Sequence, residues 1–136
     1  MPYQKGEKLF DMKNSIEIDT NQSIARVKLH GELVLDEFLA LYEELLLHSQ
    51  FLPKMSVIWD ARDASAIKFT SSDLQKIGNL VREKTLERGE GKAAWVVSVD
   101  FEYGMGRMYE LMTEGYIPVT FRVFRSMEEA NKWAME

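Results

Sequence analysis

Asp60-Ala61-Arg62-Asp63, Asp100 with Arg107, and Arg125 each follow a run of apolar residues. Carboxylates beside guanidinium groups, repeated beyond successive apolar runs, suit an anion or polar-headgroup site, because arginine's planar donors meet an anion's oxygens in pairs. The same pairs also serve as loop ties, worth ~0–1 kcal/mol each when exposed. Tyr103-Gly104-Met105-Gly106-Arg107 adds a short glycine-bearing segment at the start of a helical pattern. There an anionic ligand group could approach the backbone, with Arg107 as counter-charge. It is not a dinucleotide loop: the third glycine position of Gly-x-Gly-x-x-Gly is Tyr109, and no acidic ribose partner follows. The two glycines equally allow the helix to pack closely on a sheet. Met105, Met108 and Met112 recur at i, i+3 and i+7 and so share a helix face. With Trp59, Trp95 and Tyr109 they form either ordinary core or the wall of an adaptable apolar pocket.

Other chemistries are excluded by what the chain lacks. It has no cysteine, hence no disulfide, thiolate metal site or cysteine nucleophile. His30 and His48 have no metal-ligand spacing, and there is neither a nucleophile elbow nor a phosphate-binding loop, so no enzyme activity, metal or cofactor is expected. The net charge of −5 argues against a nucleic-acid partner. Lys76, Arg82, Lys84, Arg88 and Lys92 alternate with Glu83, Glu87 and Glu90, as on a solvated helix face.

These side chains need a scaffold, and 136 residues with 46% apolar and 29% charged composition make one globular domain. No apolar run approaches a ~20-residue membrane span, and nothing resembles a signal peptide, so a cytoplasmic location is expected. Residues 1–14 read as an extension in which Leu9, Phe10 and Met12 dock; residues 15–136 read as the domain. Ser15–Asp19 and Ile24–His30 alternate polar and apolar around Asn21-Gln22, as an antiparallel hairpin does. Helical periodicity follows over Leu35–His48. Met55–Trp59 and Ala93–Val99 are almost continuously apolar, the mark of interior strands, while Ile117–Phe124 alternates like an edge strand. Thr70-Ser71-Ser72 caps a second helix to about Leu86, a third runs from about Glu102 to Thr113, and Ser126-x-x-Glu129 opens a last one. The prediction is an α/β domain: a five-stranded, mostly parallel sheet with an N-terminal antiparallel hairpin and four helices.

This order of elements resembles the SpoIIAA-like (STAS-like) family, in particular its small stand-alone bacterial proteins of unassigned function. The resemblance is carried by Val57-Ile58-Trp59-Asp60-Ala61-Arg62, by Tyr103-Gly104-Met105-Gly106-Arg107-Met108-Tyr109, and by Val123-Phe124-Arg125-Ser126-Met127-Glu128-Glu129-Ala130-Asn131-Lys132-Trp133. It implies a β–α superhelical sheet and non-catalytic action. Known relatives are phosphorylation-switched protein-binding modules, and the wider neighbourhood includes lipid-carrying domains. In the switched relatives a phosphorylated serine opens the second helix within Asp-Ser-Ser-Gly-Leu. Alignment on Leu74 places Ser72 there, with Thr70 for the aspartate and Asp73 for the glycine. Ser71 or Ser72 also serves simply as a helix cap. Two functions follow as expectations. The first is a regulatory module that binds a protein partner and itself as a homodimer. The second is a carrier or sensor of a small amphipathic, lipid-like ligand, held by Asp60, Arg62, Tyr103, Gly104, Arg107, Met108 and Arg125.

Overall fold

The computed structural model describes residues 14–136, so the proposed docking of Leu9, Phe10 and Met12 lies outside the described residues. The elements are β1 (Ser15–Asp19), β2 (Ile24–Glu32), α1 (Leu35–Leu47), β3 (Ser56–Ser65), α2 (Ser71–Glu83), α3 (Thr85–Arg88), β4 (Lys92–Val96), α4 (Asp100–Thr113), β5 (Thr120–Phe124) and α5 (Met127–Ala134). The sheet order is β1-β2-β3-β4-β5. β1 pairs antiparallel with β2, and the remaining neighbours are parallel. The expected hairpin and mostly parallel sheet are therefore present, with the two most apolar strands inside.

Strand alternation divides the core in two. Val57, Trp59, Ala61, Ala93, Val97 and Val123 point to the face covered by α1, α2 and α4. Ile58, Ala94, Val96 and Phe124 point to the other, where they meet Ala130 and Ala134 of α5. Three polar hooks fasten that short helix: Ser56 Oγ donates to Ala134 O at 2.9 Å, Lys92 Nζ to Trp133 O at 2.9 Å, and Arg26 Nη2 to Asn131 Oδ1 at 3.0 Å. Eight residues alone are too few for a stable helix, so its docking on the sheet stabilises it.

The fourth strand ends at Val96 rather than Val99 and the fifth begins at Thr120 rather than Ile117, and two predicted elements differ more. β3 does not end at Trp59 but continues through Asp60–Ser65 along the end of β2, with an irregularity that sets Lys28 opposite Asp60 and His30 opposite Asp63. The second helix is two: Lys84 leaves helical geometry (φ −94°, ψ 29°), and α3 restarts as a single turn. There are thus five helices rather than four among the described residues.

Candidate functional site

The sheet face under α1, α2 and α4 is not completely filled. Between them lies a cavity of about 80 Å³, partly open to solvent. A water needs ~10–15 Å³ of such space, so the room is for about five waters. Aromatic rings form much of its wall, Trp59 and Trp95 from the sheet among them. Phe38 lies 5.2 Å from Trp59 and 5.8 Å from Trp95, and Tyr42 stacks on Trp59 at 6.2 Å and 14°. Such contacts fix the rings at a cost no small perturbation overcomes, each pair contributing ~0.5–1.5 kcal/mol beyond area burial.

Two charged side chains line this apolar space. Glu102, 6% exposed, stands on the buried face of α4 with Met105, Tyr109 and Thr113. Its Oε1 accepts from Ala66 N at 2.6 Å, tying α4 to the loop after β3. Its Oε2 is buried and accepts no hydrogen bond among the described residues. A buried polar atom without a partner is rare and costs ~1–3 kcal/mol, so this one requires an explanation.

Arg88, 1% exposed, lines the cavity where the strands begin. Nη1 donates to Met55 O at 2.8 Å and Nη2 to Lys92 O at 2.9 Å, stitching the start of β3 to that of β4. Gly91 makes this possible: a Cβ there would lie 2.8 Å from Met55 O and 2.9 Å from Arg88 Nη1. Burial lowers the guanidinium's pKa from its ordinary value, with Tyr42 acting in the opposite sense. Burial pushes the Tyr42 hydroxyl up to about 12, partly countered by the Arg88 charge. That hydroxyl lies beside the Arg88 guanidinium, its polar neighbour in the apolar wall.

The residues singled out in the sequence surround this cavity less closely than expected. Asp60 faces away from it, alternating with Trp59, and is saturated. Its Oδ1 accepts from Arg62 N at 3.2 Å and Arg62 Nε at 2.8 Å, its Oδ2 from Arg62 Nη2 at 2.9 Å and Lys28 Nζ at 3.1 Å. Lys28 also reaches Asp63 at 3.2 Å. The Arg62 and Lys28 bonds outweigh burial and hold the Asp60 carboxyl well below the usual carboxylate range. This is the loop tie weighed above, reinforced by a lysine. At the adjoining edge Asp100 pairs with Arg125, not with Arg107, and the Arg125 guanidinium lies 4.3 Å from the Tyr103 ring centre. Arg107 pairs with Glu110 at 2.8 Å on the outer side of α4. The methionine stripe splits: Met105 is buried and lines the cavity, whereas Met108 is 39% exposed and does not. A three-residue step advances 300° around the helix, which is enough to carry Met108 past the edge of the buried face. Of the two glycines, Gly106 gives close packing, since a Cβ there would be 2.6 Å from Val123 Cγ2, while Gly104 faces open space.

Ser72 is exposed at the second position of α2. The cap is neither serine but Thr70. Its Oγ1 accepts from Asp73 N at 3.1 Å, while Thr70 N donates to Asp73 Oδ2 at 2.9 Å. Asp73 in place of glycine thus closes a reciprocal capping box. Glu102 and Arg88 were missed. Glu102 had a signal, because it falls on the same helical stripe as Met105 and Tyr109. Arg88 had one as well, since it stands seven residues after Val81 and fourteen after Leu74 on the buried stripe, but its charged neighbours gave it the look of a surface residue.

Among the described residues, no group of three or more His, Asp or Glu side chains is arranged to hold a metal ion, and no helix is long and apolar enough to cross a membrane. No family model and no curated protein sequence matches the chain. Its structure is similar to the crystal structure of an uncharacterized protein from the DUF3478 family with a SpoIIAA-like fold, from Shewanella loihica PV-4. The TM-score is 0.54 at 18% identity, covering 89% of this chain and 93% of that one. Likeness at that identity is likeness of fold. With its antiparallel hairpin leading into a parallel sheet flanked by helices, the chain has a SpoIIAA-like α/β fold.

Proposed function

We propose that the chain is a non-catalytic binding protein that carries or senses a small, mainly apolar molecule with a polar end. The molecule sits in the cavity between the sheet and α1, α2 and α4. One observation carries this reading: a ring-walled cavity lined by Glu102, whose Oε2 is buried without a partner. A ligand that satisfies this oxygen recovers much of its desolvation cost. The saturated Asp60 cluster offers no comparable opening. Native mass spectrometry of the freshly purified protein tests the reading, followed by the same sample denatured. A non-covalent added mass that disappears on denaturation is the expected result. An unliganded protein whose melting temperature responds to no small apolar compound rejects it.

Homodimerisation is a second reading, favoured by the outer face of α4. Phe101, Met108 and Leu111 are 55%, 39% and 65% exposed there, in line with Gly104, whose lack of a side chain leaves the backbone open to a second helix. Sedimentation equilibrium decides it: a dimer that dissociates in Leu111→Glu supports it, and a monomer at every concentration removes it. The geometry lends less to a switch at Ser72. A phosphate there would gain from the helix N-terminus but lie beside the Asp73 carboxylate already held in the cap.

A further inference from the structure

We infer that the cavity's ligand is a compact organic cation. Its ammonium group, with at least one N–H, donates to Glu102, and its small apolar body lies among the rings. The inference rests on reading the cavity as a binding site and names the class of molecule that fits it. The Glu102 carboxylate is a pure acceptor when ionised, so the partner Oε2 lacks must be a donor. Among the described residues no lysine or arginine supplies one, since Oε1 meets only Ala66 N and no ion pair reaches Glu102.

The surrounding wall favours the same sign of charge. Trp59, Trp95, Phe38, Phe69 and Phe121 line the space, and aromatic faces carry negative potential that attracts cations. Arg88 is the opposing charge, but two of its guanidinium nitrogens are engaged with the carbonyls at the starts of β3 and β4. Glu102 instead bonds the loop that follows β3. The two charges therefore mark opposite ends of a cavity whose floor is a five-residue strand, ~13 Å from first to last Cα. An anion at the Glu102 end would meet a carboxylate in a desolvated site. The size limit is strict as well. The 80 Å³ available is about half of the ~150 Å³ that admits six-carbon benzene in an engineered apolar cavity, so roughly three heavy atoms fill it and a five-atom molecule extends into its open mouth.

Three probes of one carbon skeleton test this: isobutylamine, isobutanol and isobutyrate, titrated at pH 7 into the ¹⁵N-labelled protein. Trp59 and Trp95 line the cavity, whereas Trp133 packs on the opposite sheet face, so their indole N–H signals separate entry from surface binding. The expected result is movement of the Trp59 and Trp95 signals with Trp133 still. Isobutylamine should bind at least tenfold more tightly than isobutanol and isobutyrate more weakly than either, with the amine's advantage lost in Glu102→Gln. The wild-type series decides the matter even if that variant does not fold. Equal binding of amine and alcohol, or tighter binding of isobutyrate, overturns the cationic class while leaving the cavity as a binding site. No movement of Trp59 or Trp95 with any probe overturns both.

Discussion

Ala93→Leu distinguishes an open cavity from a filled one. Ala93 is 7% exposed on the cavity floor, in register with Val57 of β3 and Phe121 of β5. Leucine adds three carbons, whose burial at ~0.8 kcal/mol each is worth ~2.4 kcal/mol. Freezing the new side chain takes back ~0.5–1 kcal/mol, leaving a net stabilisation of ~1.5 kcal/mol where the space is empty. For a chain of this length that raises the melting temperature by roughly 4–8 °C. Adjacent Ala94 is the control: it is fully buried against α5 on the opposite face, away from the cavity. Ala94→Leu should therefore overpack and cost ~1–3 kcal/mol. Urea and thermal unfolding followed by circular dichroism read both variants, and Ala93→Leu should also abolish isobutylamine binding. The reasoning is refuted if Ala93→Leu destabilises as much as Ala94→Leu does, because the space would then not exist in solution.

Other predictions concern the polar groups. Arg88→Met should cost ~2–5 kcal/mol in urea unfolding, because it strands the Met55 and Lys92 carbonyls that the guanidinium now satisfies; a change under ~0.5 kcal/mol would return Arg88 to the solvated face read from sequence. Asp60→Asn should cost ~1.5–3 kcal/mol at pH 7, the range for hydrogen bonds to a charged group. Because the native Asp60 pKa is depressed, its stabilisation is complete above the unfolded value of ~3.9 and fades as pH falls below it, so wild type and variant should converge in acid. A constant gap down to pH 2 would show that the carboxylate's charge is not what stabilises the β2–β3 edge. At the start of α2, Thr70→Ala should cost ~1 kcal/mol and Ser72→Ala under ~0.5 kcal/mol, measured by thermal unfolding; the reverse order would place the cap at Ser72.

The sequence made strand positions readable because each strand's two faces meet different surroundings. Continuous apolar character over Val57–Trp59 and Ala93–Val97 reflects burial on both sides, and the hairpin's alternation placed β1 at the edge. The site was harder to read, and particular residues show why. Asp60 and Arg62 advertise chemistry by type and spacing, yet two residues apart along a strand is also the geometry that lets an arginine fold back onto an aspartate. Met108 shares a heptad-like spacing with Met105, but membership of the buried stripe turns on tens of degrees of helical phase. Arg88 keeps the seven-residue spacing of Leu74 and Val81 on the buried side, a phase that the charges around it concealed.

A polar cluster that is complete and one that is incomplete have different meanings in a fold. Asp60 accepts four hydrogen bonds and is enclosed by cations; adding a ligand there would break bonds already made, so the cluster works as a clasp between the ends of β2 and β3. Glu102 accepts one bond, from Ala66 N, and keeps its other oxygen buried without a partner beside a space walled by rings. Replacing Glu102 with leucine or methionine would remove the orphaned oxygen but strand Ala66 N, so the tie to the loop after β3 accounts for Oε1 and leaves Oε2 unexplained. That asymmetry is the reason to place the proposed ligand at Glu102 rather than at the more conspicuous charges on the far face.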